Sequence, residues 1–165
     1  MNIGSPLFRI EVASFSDVLS ILRAGREGIL ADWIARVRES AMVSSGRILS
    51  DPVLLDHVPQ LFDAILDRLQ FNRDRADAEY FAAIHGFGRR VDGYDALESV
   101  AELTIFRRAI WSHLTAAGAR PEGACAAMEV IDGMVDRAML ASVQALLDPE
   151  ARRLDRRATE RDDTN

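Results

Sequence analysis

Apolar residues recur at steps of three and four along most of this chain, and that spacing confines it to helices. Ile29, Leu30, Trp33, Ile34 and Val37 form one stripe over residues 27–42. Leu61, Phe62, Ile65, Leu66 and Leu69 form a second over 58–71, and Tyr80, Ile84, Phe87 and Val91 a third over 77–91. Val100, Leu103, Ile110 and Leu114 mark a helix over 95–117. A short helix is expected from Ser16, its N-cap, to a break at Gly25, and a brief turn over 52–57 ahead of Pro59. Residues 121–147, from Pro121 to the last residues before Pro149, make the longest helix. The one alternation of period two, Phe8, Ile10 and Val12, reads as an extended arm over residues 1–15. The expectation is an all-α single domain of about six helices over 16–147, packed as a bundle, with a globin-like arrangement as one variant. A charged tail follows over 148–165.

Composition removes several function classes. The chain has 165 residues, about one domain, with 48% hydrophobic and 28% charged residues. All 20 basic residues are Arg, which excludes Schiff-base or P-loop lysine chemistry. A net charge of −6 argues against nucleic-acid or anionic-membrane binding. The Arg pairs at 89–90, 107–108, 152–153 and 156–157 lie among acids and read as salt-bridge partners. One cysteine, Cys125, rules out a disulfide framework or a multi-Cys metal site within the chain. No signal peptide and no apolar run of roughly 18 residues is present, so a soluble cytoplasmic protein is expected, with no membrane partner. No Gly-rich phosphate loop, HExxH or Cys cluster occurs, and His57, His85 and His113 are not paired at metal spacing. Neither a metal nor a cofactor is expected on these grounds.

Three features depart from plain amphipathic helices. Arg107 falls on the 95–117 stripe. An inward Arg needs a carboxylate, because it cannot shed its charge, and Asp132 or Asp136 are the candidates. The alternative is a shoulder position from which Arg107 reaches outward. His85 and Arg89 share one face of 77–91 at the border of its stripe. There His85 is a structural hydrogen-bonder, a pH sensor or, in the sharpest alternative, a haem ligand. A small enzyme using His85 with a carboxylate is a further rival. Finally, residues 121–147 carry two seams. Met128, Asp132, Val135, Met139, Ser142 and Leu146 step by four and three, and Ile131, Met134, Ala138, Ala141 and Ala145 lie beside them. The small residues of the second seam would let another helix approach closely, so it is the expected dimer seam, the rival being burial inside one monomer.

The run HGFGRRVDGY followed by ESVAELTIFRRAIW, with ILADWIARV and DHVPQLFDAILDRL upstream and VIDGMVDRAMLASVQALL downstream, resembles a bacterial signalling pattern. It resembles the N-terminal domain of RsbRD-type RsbT co-antagonist proteins. Similar domains precede the catalytic parts of some sensor histidine kinases. The resemblance covers about residues 27–147. It implies an all-helical, non-enzymatic sensory domain that acts as a dimer on a kinase or anti-sigma partner. Its motif positions fall on His85, Arg89, Gly93, Glu102 and Arg107. A polar cluster of His85, Arg89, Glu102, Arg107, Asp132 and Asp136 joining the last three helices is therefore expected. Members of the family usually continue into an output domain, so an output partner on a separate chain is one expectation here.

Overall fold

The computed structural model describes residues 6–71 and 77–148, with side chains from Phe15 onward. The elements are α1 (Pro6–Glu39), a 3-10 turn (Ser45–Arg47), α2 (Asp51–Leu55), α3 (Val58–Phe71), α4 (Asp77–Val91), α5 (Ala96–Ala116) and α6 (Pro121–Leu147). The described residues contain no strand, and α2 is little more than one turn, so five long helices build the bundle. The bounds expected for α3, α4 and α6 agree with these ranges.

The N-terminal expectation does not hold. Helix α1 runs unbroken for 34 residues. The extended arm is helix from Pro6 onward, and residues 1–5 lie outside the described segment. Ser16 caps nothing, and Gly25 interrupts nothing. Gly25 is instead the point where α5 approaches, because a Cβ there would sit 1.9 Å from the His113 ring. The tail from Pro149 onward also lies outside the described residues.

The core is ordinary in chemistry. Trp33 of α1, Phe62 of α3 and Phe106 of α5 meet edge-on, with centroids 6.3 and 5.9 Å apart. Leu22, Ile29, Ile65, Leu103, Ile110, Leu114 and Ile131 close around them, all fully buried. Aromatic edge contacts and apolar burial are the main stabilising terms here. The α4–α5 connection is built for a sharp stop and start. Gly93 takes φ +84°, Tyr94 N–H returns to the Arg89 carbonyl, and Asp95 and Glu98 form a reciprocal capping box on α5.

Helix α4 faces the opposite way from its apolar pattern. Tyr80, Phe87 and Val91 are 62%, 48% and 70% exposed, and Ile84 is half-buried. The inward face carries Ala78, Ala82, His85, Gly86 and Arg89. The reason is the α4–α6 crossing. A Cβ on Gly86 would lie 2.1 Å from the Ser142 carbonyl oxygen, so the two backbones nearly touch. A side chain at the Gly86 position would force the helices apart. The same crossing accounts for the small residues of α6. Ile131, Met134 and Ala138 of the supposed dimer seam are buried inside the monomer, and Ala141 and Ala145 are half-buried beside α4. The helix that approaches α6 closely is α4 of the same chain.

Two glycine substitutions should therefore differ in sign. Gly86→Ala adds helix propensity but overpacks the crossing, and should destabilise by about 1–3 kcal/mol. Gly28→Ala on α1 meets nothing within 4 Å and should stabilise by about 0.5–1 kcal/mol. Urea midpoints of the two variants check both.

Candidate functional site

The inward face of α4 places a guanidinium in the core. Arg89 has no exposed surface. Its Nε and Nη2 donate to the two carboxylate oxygens of Glu102 on α5, each at 2.8 Å. Nη1 donates to the Val53 carbonyl at 3.1 Å and to Asp92 Oδ2 at 3.3 Å, and Nη2 also donates to the Leu54 carbonyl. An arginine has five N–H donors. All five are used, which is what lets the charge sit away from water. The Tyr94 ring lies 5.1 Å from the guanidinium carbon and covers it with a cation–π contact.

Glu102 is the other half of the fork and is equally buried. Its backbone carbonyl accepts from the Trp33 indole at 3.2 Å, so α1 is tied to the same residue. His85, one turn before Arg89, completes the cluster. Its Nδ1 lies 3.2 Å from Asp56 Oδ2, and its Nε2 lies 3.5 Å from Glu102 Oε2, too far for a well-formed hydrogen bond. Asp56 sits in the α2–α3 turn with φ 38° and ψ −117°, a conformation that non-glycine residues rarely adopt. Its Oδ1 is 2.6 Å from Nδ1 of His57, and the His57 ring stacks on Phe81 at 6.4 Å.

The charges reinforce one another. Burial pulls the His85 imidazole down, but the Glu102 and Asp56 carboxylates outweigh it and raise the pKa above 6.5. Burial pushes Glu102 up, yet His85 and Arg89 hold it below its ordinary value. Asp56 is likewise lowered against its burial, chiefly by His85. With His85 protonated, two cations, His85 and Arg89, face two anions, Glu102 and Asp56. Nearby, Glu98 anchors the loop before α2. Burial pushes its carboxyl up, but donors from Ser44, Ser45 and Asp95 bring it down to about 2.

The structure divides the expected six-residue cluster in two. His85, Arg89 and Glu102 come together in the core. Arg107 is not inward: it is 30% exposed on the α5–α6 edge, 3.1 Å from Asp136 and 3.8 Å from Asp132. Its partners are the two candidates, but the pair belongs to the surface. The buried Arg is Arg89. Asp56, His57 and the α2 carbonyls were not foreseen, because they lie in a turn with no periodic pattern. The only sequence signal was an acid followed by His just ahead of Pro59. Among the described residues, no three His, Cys, Asp or Glu side chains are placed to hold a metal ion, and no helix is long and apolar enough to cross a membrane.

An all-helical domain with a buried, charge-balanced cluster is the class that this geometry defines. The family model for the RsbT co-antagonist protein rsbRD N-terminal domain matches residues 27–161, and the chain belongs to that family. His85, Arg89, Glu102 and Asp56 all lie within the matched span. No curated protein and no solved structure matches the chain.

Removing either half of a buried pair leaves an uncompensated charge. Arg89→Ala should therefore cost about 3–5 kcal/mol, whereas Arg107→Ala should cost about 1 kcal/mol or less. Thermal and urea melts of both variants decide this. The depressed carboxylates contribute stability that is present above their ordinary values and lost as pH falls through the folded ones. Urea midpoints should thus drop as pH falls from about 4.5 toward about 2, and Glu98→Gln should shrink that drop.

Proposed function

We propose that this chain is a non-enzymatic regulatory domain of stress-response or two-component signalling, acting in the cytoplasm as a homodimer through changes in helix packing. Membership of the co-antagonist family supports a role on a kinase or anti-sigma partner. The observation that carries the reading is the saturated Arg89. One side chain joins α4, α5 and α2, so a shift of any of these helices must rearrange the others.

The same saturation counts against the rivals. A catalytic His or Arg needs a free atom facing substrate, whereas every Arg89 donor has an intramolecular acceptor. Both His85 nitrogens face carboxylates, which is a poor arrangement for a haem iron ligand. The dimer surface that fits is the outer face of α4. Tyr80, Ile84, Phe87 and Val91 step by four, three and four, the spacing of a two-helix seam, and a twofold axis would pair the face with its own copy.

Two measurements test this. Sedimentation equilibrium should find a dimer that Phe87→Glu/Val91→Glu converts to a monomer of unchanged melting temperature. A wild-type monomer at high micromolar concentration would sink the dimer. Calorimetric titration with a purified RsbT-type kinase should show saturable binding, and no heat at high micromolar kinase would remove that partner class.

A further inference from the structure

Helix α2 has little of its own to hold it in place. Five residues are too few for a self-supporting helix, and its N-cap Ser50 makes no side-chain capping bond. Leu54 is fully buried, but Val53 is not. Its start is held by the Arg38–Asp51 ion pair and its middle by Leu54 and Leu55 on the core, whereas its C-terminal end is fastened by polar contacts: Arg89 on the Val53 and Leu54 carbonyls, and His85 on Asp56. The segment ends at Asp56 in a strained backbone conformation that persists only while its surroundings enforce it. The Asp56 carboxylate is hydrogen-bonded to the His85 imidazole on one side and lies against that of His57 on the other, and it is 22% exposed while His85 is 3% exposed.

We infer that residues 51–57 form a proton-gated latch, closed over the α4–α5 pair while a charged His85 bridges Asp56 and Glu102, and released when that proton leaves. A neutral His85 cannot attract both carboxylates. Asp56 and Glu102 would then face only Arg89 and the partly exposed His57, and the turn would keep the Arg89 bonds to α2 but lose the charge that draws Asp56 inward. The charged groups acting on His85 come from three elements: Asp56, backed by His57, from the α2–α3 turn; Glu102 from α5; and Arg89 from α4 itself. Arg89 opposes the proton, and the two carboxylates favour it. The sign follows from the raised imidazole. Closure is favoured fully below the ordinary value of 6.5 and is lost as pH rises through the folded value. Falling pH acts oppositely, through the lowered Asp56 and Glu102. The latch is therefore closed at mildly acidic pH, below the ordinary imidazole value, and opens as pH rises through the raised one. It stands on its own geometry, whatever partner the domain binds.

Amide hydrogen exchange on the intact chain tests this. The reporters are the Leu54, Asp56 and Leu61 amides, which bond to the Ser50, Pro52 and His57 carbonyls. After correction for base-catalysed intrinsic exchange, their closed-to-open ratio should fall by about tenfold per pH unit between the ordinary and the raised imidazole values. Amides in the middle of α5 should hold constant. The His85 ring resonances should titrate over the same range. His85→Gln, which keeps a hydrogen-bonding amide but no charge, should make the ratio independent of pH, and His57→Gln should leave the pH dependence in place. Protection that is flat while His85 titrates overturns the latch. So does a pH dependence that survives in His85→Gln, or one that vanishes in His57→Gln. If His85→Gln fails to fold, agreement between the wild-type ring titration and the exchange midpoint decides, and a mismatch overturns the proposal.

Discussion

The structure is organised around the need to keep one positive charge out of water. A guanidinium cannot lose its proton, so burying Arg89 demands an anion and a full set of acceptors. Glu102 supplies the anion, Asp92 one further oxygen, and α2 two backbone carbonyls. That demand joins α2, seated by Leu54 and Leu55 on the core, to the α4–α5 pair. The rotation of α4 that seats Gly86 on Ser142 also serves it, since Arg89 and His85 reach Glu102 only with that face turned inward.

The rotation of α4 has structural effects elsewhere. With polar and small residues inward, α4 packs against α6 at backbone distance, and Ser142 meets both Gly86 and, through its hydroxyl, Ser99 at 2.9 Å. Tyr80 and Phe87 of α4 are left outside. The helix thereby has a core function on one face and exposed apolar side chains on the other. The α6 seam, which looked available, is used up in building the monomer.

Much of the architecture was legible in the sequence because helix stripes are local. Spacing alone places α3, α4 and α6, and Gly93 marks the end of α4. The errors arise where a local pattern has two solutions. Gly25 could end a helix or admit a neighbour, and only the position of His113 decides between them. The α4 stripe could face in or out, and the Gly86–Ser142 contact decides that. Periodicity drew attention to His85 and to an arginine on a helix stripe, and it selected Asp132 and Asp136 for Arg107. It left Arg107 either inward or on a shoulder, and the shoulder is where Arg107 lies, while Arg89 escaped notice as the buried arginine because its face carries no large apolar side chain. Asp56 was invisible, since a turn residue acquires its meaning only from the helices that close over it.

The two tryptophans occupy opposite environments. Trp33 is fully buried, with its indole N–H on the carbonyl of Glu102, whereas Trp111 lies at the surface. The protein therefore carries a built-in optical reporter whose emission is set by the residue at the centre of the charge cluster. A second tryptophan, far from the cluster in polarity, serves as its internal reference. A rearrangement around Glu102 can be followed in the unlabelled molecule by light alone.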